Sequence, residues 1–135
     1  MDDVELGAIP LFAALAPEDR ERVARAARQL HWEAGDVALH EGEFAFDFYA
    51  IVTGAMEVQH HGERVATLGS GDFFGEIGLR GRDSTHAARR RSATVVVSAP
   101  TDAIAIVASD MRALSEAMPA LRDALDRAWA ERSQT

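Results

Sequence analysis

A chain of 135 residues, 47% hydrophobic and 27% charged, suffices for one domain with a real core and has the balance of a soluble globular protein. Its formal charge of −8 argues against a surface devoted to nucleic acid, and its lack of cysteine excludes disulfides, thiolate nucleophiles and thiolate metal sites. No apolar run approaches the roughly 18–20 residues of a membrane span and no leader pattern opens the chain, so a cytoplasmic protein with no membrane segment is expected. All 14 basic residues are arginine, and Arg80, Arg82, Arg89, Arg90 and Arg91 crowd one interval of an otherwise acidic chain.

In chain order, Ile9-Pro10-Leu11-Phe12 and Leu15 are small apolar anchors. Pro17 followed by Glu18 and Asp19 opens a helix, with proline in the first turn and acids at the positive end of the dipole. Val23, Ala26, Ala27 and Leu30 repeat at helical spacing, and Arg20, Arg22, Arg25 and Arg28 fall largely on the other, solvated face. From His31 the period changes. Glu33 to Asp36 is a turn, Val37 to His40 a short strand, and Glu41-Gly42-Glu43 another turn. Phe46 to Thr53 has the aromatic and β-branched content of a strand. Gly54 punctuates it, and Ala55 to His60 continues it. His61-Gly62-Glu63 reads as a tight hairpin before a returning strand, Arg64 to Leu68. After the turn Gly69 to Asp72 come two further strands, Ala93 to Ser98 and Asp102 to Val107, separated by a break at Ala99-Pro100. Ser109 and Asp110 can cap a helix over Met111 to Ala117, and Pro119 opens a second with Leu121, Leu125, Ala128 and Trp129 on one face. Strands with turn signals about every 8–12 residues predict an antiparallel β-roll flanked by helices, not βαβ units. The layout expected is a single domain over 1–135: a helical segment 1–30, a roll 31–108 and C-terminal helices 109–135.

The chemistry concentrates in Phe73-Phe74-Gly75-Glu76-Ile77-Gly78-Leu79 and, after the arginine-rich interval, Arg91-Ser92-Ala93-Thr94-Val95. Gly75 and Gly78 remove side chains where a ligand must come close. A helical turn starting here would present free N–H groups to an anion. Arg91 brings a permanent charge and a forked donor set suited to phosphate oxygens. Glu76 brings an acceptor that suits a sugar hydroxyl. Together these residues describe a site for a phosphorylated sugar.

With these residues in view, the chain resembles the cyclic nucleotide-binding domain of the catabolite activator protein and protein kinase A regulatory subunit type, over nearly its whole length. Gly42-Glu43-x-Ala45-x-x-Phe48-Tyr49-x-Ile51-x-x-Gly54 is similar to that family's glycine-flanked strand pair, with Ala50 where a larger apolar residue is usual. Phe74-Gly75-Glu76-Ile77-Gly78-Leu79 and Arg91-Ser92-Ala93-Thr94-Val95 are similar to its phosphate-binding cassette, here 73–95. The resemblance implies a mainly β fold with flanking helices, a double-stranded jelly roll with an N-terminal helix and a C-terminal lid helix. It implies that Arg91 pairs with the cyclic phosphate, that Glu76 accepts from the ribose 2′-hydroxyl, and that Gly75 lets the sugar sit close. Amides near Gly78, Leu79, Ser92 and Ala93 would complete the phosphate cradle, with Phe74 and Ile77 beside them.

The base would lie against the roll, with Val65 a candidate contact, under a lid helix offering Leu121, Leu125 or Trp129. Trp129 is favoured, since base–aromatic stacking is worth roughly 1–3 kcal/mol, although plain core packing gives the same apolar stripe. The interval from Leu79 to Arg91 is long for the family, so residues 80–88 are expected as an exposed loop. Arg89 and Arg90 compete for the phosphate contact, and only Arg91 carries the Ser-Ala-Thr-Val continuation into a strand. Ser92 suits either cAMP or cGMP, and cAMP is preferred because no other guanine-reading residue is evident.

The expected function is a non-enzymatic sensor that binds a cyclic nucleotide, needs no cofactor, and signals through its C-terminal helix to a second subunit or a separate effector. A cupin-like metalloenzyme would need clustered histidines, but His60 and His61, adjacent on a strand, would point to opposite faces, and His31, His40 and His86 lie in or beside turns. Hydrolysis would need a metal cluster or a base aimed at phosphorus, whereas Glu76 already has a binding task. No helix-turn-helix follows the lid helix before Thr135, so direct DNA binding is not expected. Intact Gly75, Glu76, Arg91 and Ala93 argue against a degenerate domain used only for protein contacts.

Overall fold

The computed structural model describes residues 6–7, 9–40, 42, 44–45, 47–74, 89–90 and 93–133, the side chains of 44–45, 89–90 and 129–133 excepted. The expected antiparallel β-roll with flanking helices is what the chain forms. The elements are α1 (Pro10–Ala13), α2 (Pro17–Ala26), β1 (Arg28–Trp32), β2 (Val37–Leu39), β3 (Phe44–Ala45), β4 (Asp47–His60), β5 (Glu63–Gly69), β6 (Phe73–Phe74), β7 (Arg89–Arg90), β8 (Thr94–Val107), α3 (Ala108–Ala117) and α4 (Pro119–Ser133). The main sheet runs β1-β8-β4-β5, with β2 added to β8 and β6 to β4, and β3 pairs β7 separately.

α2 starts as expected, with Pro17 in its first turn beside Glu18 and Asp19. It stops four residues early, because Ala27 turns extended at φ −85°, ψ 141°. Arg28 and Leu30 therefore belong to a strand and not to the helix. Strand β1 pairs with β8 from Arg28↔Ala105 to Trp32↔Thr101, and that ladder outweighs the helical spacing of Leu30. On α2, Arg22 and Arg25 are exposed, 3.9 Å from Asp19 and 3.7 Å from Glu21, whereas Arg20, expected on the solvated face, is half-buried and donates to Ala13 C=O at 3.4 Å and Leu15 C=O at 3.3 Å.

The two segments read as separate strands around Pro100 are one strand, β8, of 14 residues. Pro100 does not break it, because β1 ends at Thr101 and the pairing with β4 jumps from Thr53↔Asp102 to Ala55↔Ala99. The proline falls in the gap of both ladders, where a missing N–H costs nothing. Opposite that gap Gly54 sits at φ 131°, and a Cβ there would come within 2.6 Å of Thr101 Cα. Thr101 is fully buried; its hydroxyl accepts from Ala55 N–H at 3.2 Å and donates to Ala99 C=O at 2.8 Å. The register between the two long strands shifts at this close approach.

Tight turns are closed by aspartate. Asp36 accepts from Glu33 N–H and Asp72 from Gly69 N–H, each at 2.8 Å. His61 and Gly62 form the two-residue hairpin loop at φ 52° and 83°, as a primed turn demands. His61 thereby leaves the strand, and its ring lies 4.1 Å from that of His60 instead of on the opposite face. α3 begins at Ala108 with Val107 as N-cap, so Ser109 and Asp110 lie inside its first turn and do not cap it.

The period of two along the strands splits the buried side chains between two clusters. One, against the helices, joins Phe48, Ala50, Phe73, Ile104 and Ile106 to Leu6, Ile9, Phe12, Val23, Met111, Met118, Leu121 and Leu125. The other, inside the roll, holds Leu39, Ile51, Met56, Phe74, Val95 and Val97, flanked by Trp32 and Tyr49.

Candidate ligand site

Of the cassette, the structure describes the two ends. Gly75, Glu76, Ile77, Gly78, Leu79, Arg91 and Ser92 lie outside the described residues, as does the loop expected at 80–88. At the first end, the turn Gly69 to Asp72 is bonded to the middle of β4: Gly71 N–H donates to Ile51 C=O, and Ile51 N–H to Asp72 C=O, each at 2.8 Å. The chain then runs into β6, where Phe73 pairs with Ala50 and Phe74 with Tyr49. The alternation sends Phe73 to the helical cluster, 5.4 Å from the ring of Phe48, and Phe74 into the roll. Phe74 is buried and stacked on Tyr49, with centroids 4.9 Å apart and planes at 16°. Trp32 adds a third ring, 5.9 Å from Tyr49 and tilted by 58°.

At the second end, Arg89 and Arg90 pair with Ala45 and Phe44 across β7 and β3. Arg91 is the first residue beyond that ladder. The chain re-enters the main sheet at Thr94, opposite Gln59, after a half-buried Ala93. Val95 then joins Phe74 in the cluster inside the roll. Both ends of the cassette thus issue from the same interior cluster.

The other expected site residues are placed apart. Val65 is 61% exposed on β5. Leu121 and Leu125, at 0% and 1%, are built into the helical cluster and away from Phe74. Trp129 is on α4, and its side chain lies outside the described residues. A cavity of about 540 Å³ lies between the turn at Ser70 to Phe73, Pro10 and Leu11 of α1, and Ala124, Arg127 and Ala128 of α4.

Sequence reasoning missed the support around the cassette. The Tyr49 hydroxyl donates to Asp47 at 3.3 Å, and Arg28 pairs with the same carboxylate oxygen at 3.1 Å. Tyr49 and Asp47 are two apart on a strand, hence on one face, which was the available signal. Trp32 and Arg28 reach them only through the β1–β8–β4 order, and no local spacing shows that. His31 was read as a histidine without companions. It lies on β1 with Nδ1 2.8 Å from Asp102 Oδ1 and Nε2 2.9 Å from Glu33 Oε1. Those carboxylates, Asp102 first, raise its pKa above 6.5. Among the described residues, no three His, Cys, Asp or Glu side chains converge as a metal site.

The model of the cyclic nucleotide-binding domain matches residues 29–117. Over 97 residues the chain is 31% identical to the cAMP-dependent protein kinase regulatory subunit of Schizosaccharomyces pombe, covering 69% of this chain and 24% of that protein. It is 31% identical over 127 residues to a cyclic nucleotide-gated potassium channel of Rhizobium etli, covering 94% of this chain and 34% of the channel. The chain therefore spans only a quarter to a third of these relatives' length. The fold superposes on the cAMP-bound structure of PfPKA-R with a TM-score of 0.82 at 19% identity, over 98% of this chain and 44% of that one. With a family match over most of the chain, and with the roll and cassette ends in the arrangement just described, the chain belongs to the cyclic nucleotide-binding domain family.

Proposed function

We propose that this chain is a non-enzymatic regulatory module that binds cAMP in preference to cGMP and reports occupancy through its C-terminal helix. The observation that carries the reading is the family match over 29–117, joined to the sequence Gly75-Glu76-Ile77-Gly78-Leu79 leaving β6 and Arg91-Ser92-Ala93 leading into β8. In this proposal Arg91 neutralises the cyclic phosphate, Glu76 holds the ribose 2′-hydroxyl, and the amides of Gly78, Leu79, Ser92 and Ala93 complete the cradle. Arg91 is preferred to Arg89 and Arg90 because it alone carries the Ser-Ala-Thr-Val continuation into β8. The preference for cAMP is supported by relatives named cAMP-dependent and by a ligand-bound structural neighbour.

Burial of Leu121 and Leu125 in the helical cluster supports an anchoring role for them, and Trp129, further along α4, is proposed as the lid residue. Ligand that contacts Trp129 binds the lid-closed state more tightly and shifts the population toward it. The output passes through α4 or the N-terminal helices to a second copy or a separate effector in the cytoplasm. Among the described residues no helix is long and apolar enough to cross a membrane.

The test is calorimetric titration of Arg91→Ala. Circular dichroism of the variant against the wild type establishes that it is folded before the titration is read. Loss of one partner of a charge pair weakens cAMP binding by roughly 2–5 kcal/mol. Unchanged affinity would remove Arg91 from the site.

A further inference from the structure

β6 has only two residues, so its ladder to β4 is short and contributes little to fixing the chain beyond it. The residue that follows, Gly75, has no side chain with which to fix its own direction. Among the described residues, Phe73 and Phe74 are the last that can set the path of the chain out of β6. Phe73 is held by Phe48 and the helical cluster. Phe74 is held in the roll by a near-parallel stack on Tyr49.

Tyr49 is more than a filler of that space. Offset stacking requires a flat partner, and a branched aliphatic side chain of similar volume has none. Its far end is also tethered, since the hydroxyl donates to Asp47, whose carboxylate is paired with Arg28 at the start of β1. Trp32, at the end of the same strand, lies against the Tyr49 ring. The ring is thus located by β4 through its backbone, by Asp47 through its hydroxyl, and by Trp32 through its surroundings. All three constraints are passed to Phe74.

We propose that Tyr49 is a positioning residue for the cyclic-nucleotide site: stacked on Phe74 and braced through Asp47 to Arg28, it sets the direction in which the chain leaves β6 toward Gly75 and Glu76. The proposal rests on the reading of residues 75–79 as the ligand cassette.

The test combines two measurements on the full chain: amide hydrogen exchange without ligand, and calorimetric titration with cAMP. The proteins compared are the wild type, Tyr49→Leu, Tyr49→Phe and Phe74→Leu. Tyr49→Leu is expected to speed exchange over residues 75–79 by roughly three- to tenfold and to weaken cAMP binding by a similar factor, with exchange in β8 unchanged. Tyr49→Phe retains the ring and restores most of both quantities. Phe74→Leu removes the other ring, reproduces the pattern, and decides the matter if Tyr49→Leu does not fold. Unchanged exchange at 75–79 in the leucine variants, or acceleration spread equally over β8, overturns the positioning role. A wild type that takes up neither cAMP nor cGMP overturns the ligand reading instead, and the exchange data separate the two failures.

Discussion

His31 joins three segments through one exposed ring. One nitrogen meets Asp102 on β8 and the other meets Glu33 in the turn after β1, at 2.8 and 2.9 Å. Thr53 on β4 reaches the second oxygen of Asp102 at 3.5 Å, so the cluster spans three neighbouring strands. Both contacts are complete only when both ring nitrogens carry protons, so the folded state holds the charged form and the pKa lies above 6.5. The sign of the pH dependence follows. A group whose folded pKa is raised contributes stability that is fully present below its unfolded value and is lost as pH rises through the folded value. The stability of the wild type relative to His31→Gln is therefore expected to be greater at about pH 6 than at about pH 9. Thermal denaturation at both pH values checks this, and an equal gap at both would refute it. The histidine itself was visible in the sequence, but its partner lies 71 residues away and only the β1–β8 register brings them together.

β4 and β8 are the elements on which the rest hangs, and the register between them shifts where Gly54 lies against Thr101. Gly54 is needed there twice over, for φ 131° and for the space occupied by Thr101. Gly54→Ala is expected to lower stability by roughly 1–3 kcal/mol from backbone strain alone, read as a shift in urea midpoint. A change within about 0.5 kcal/mol, the range of an ordinary surface substitution, would contradict the close approach of Gly54 to Thr101 as described. Element type was legible here because alternation is a local signal: Phe48 and Ala50 go one way, Tyr49 and Ile51 the other. Element ends were not. Pro100 looked like a break until the two ladders showed that neither needs its N–H. Leu30 looked helical until β8 offered it a partner, Ala103. In both cases a non-local pairing overrode a local preference.

Across the whole molecule, an acidic chain of net charge −8 is proposed to hold an anionic ligand, which requires positive charge placed locally. The sequence supplies it at Arg91 and its neighbours, and the fold brings the two ends of the cassette out of one interior cluster. The proposed cassette is written in two short runs of residues, each of which a sequence shows locally. Its aromatic support, Trp32–Tyr49–Phe74, was not legible in this way, since those rings come from three separate strands. The apolar stripe on α4 was readable as a stripe, but only the packing shows that Leu121 and Leu125 are core. Titration of the purified chain with cAMP and with cGMP, side by side in a calorimeter, is the most direct test of a cyclic-nucleotide site. The expected result is saturable binding at one site per chain, tighter for cAMP than for cGMP. Absence of saturable binding for both nucleotides would contradict it.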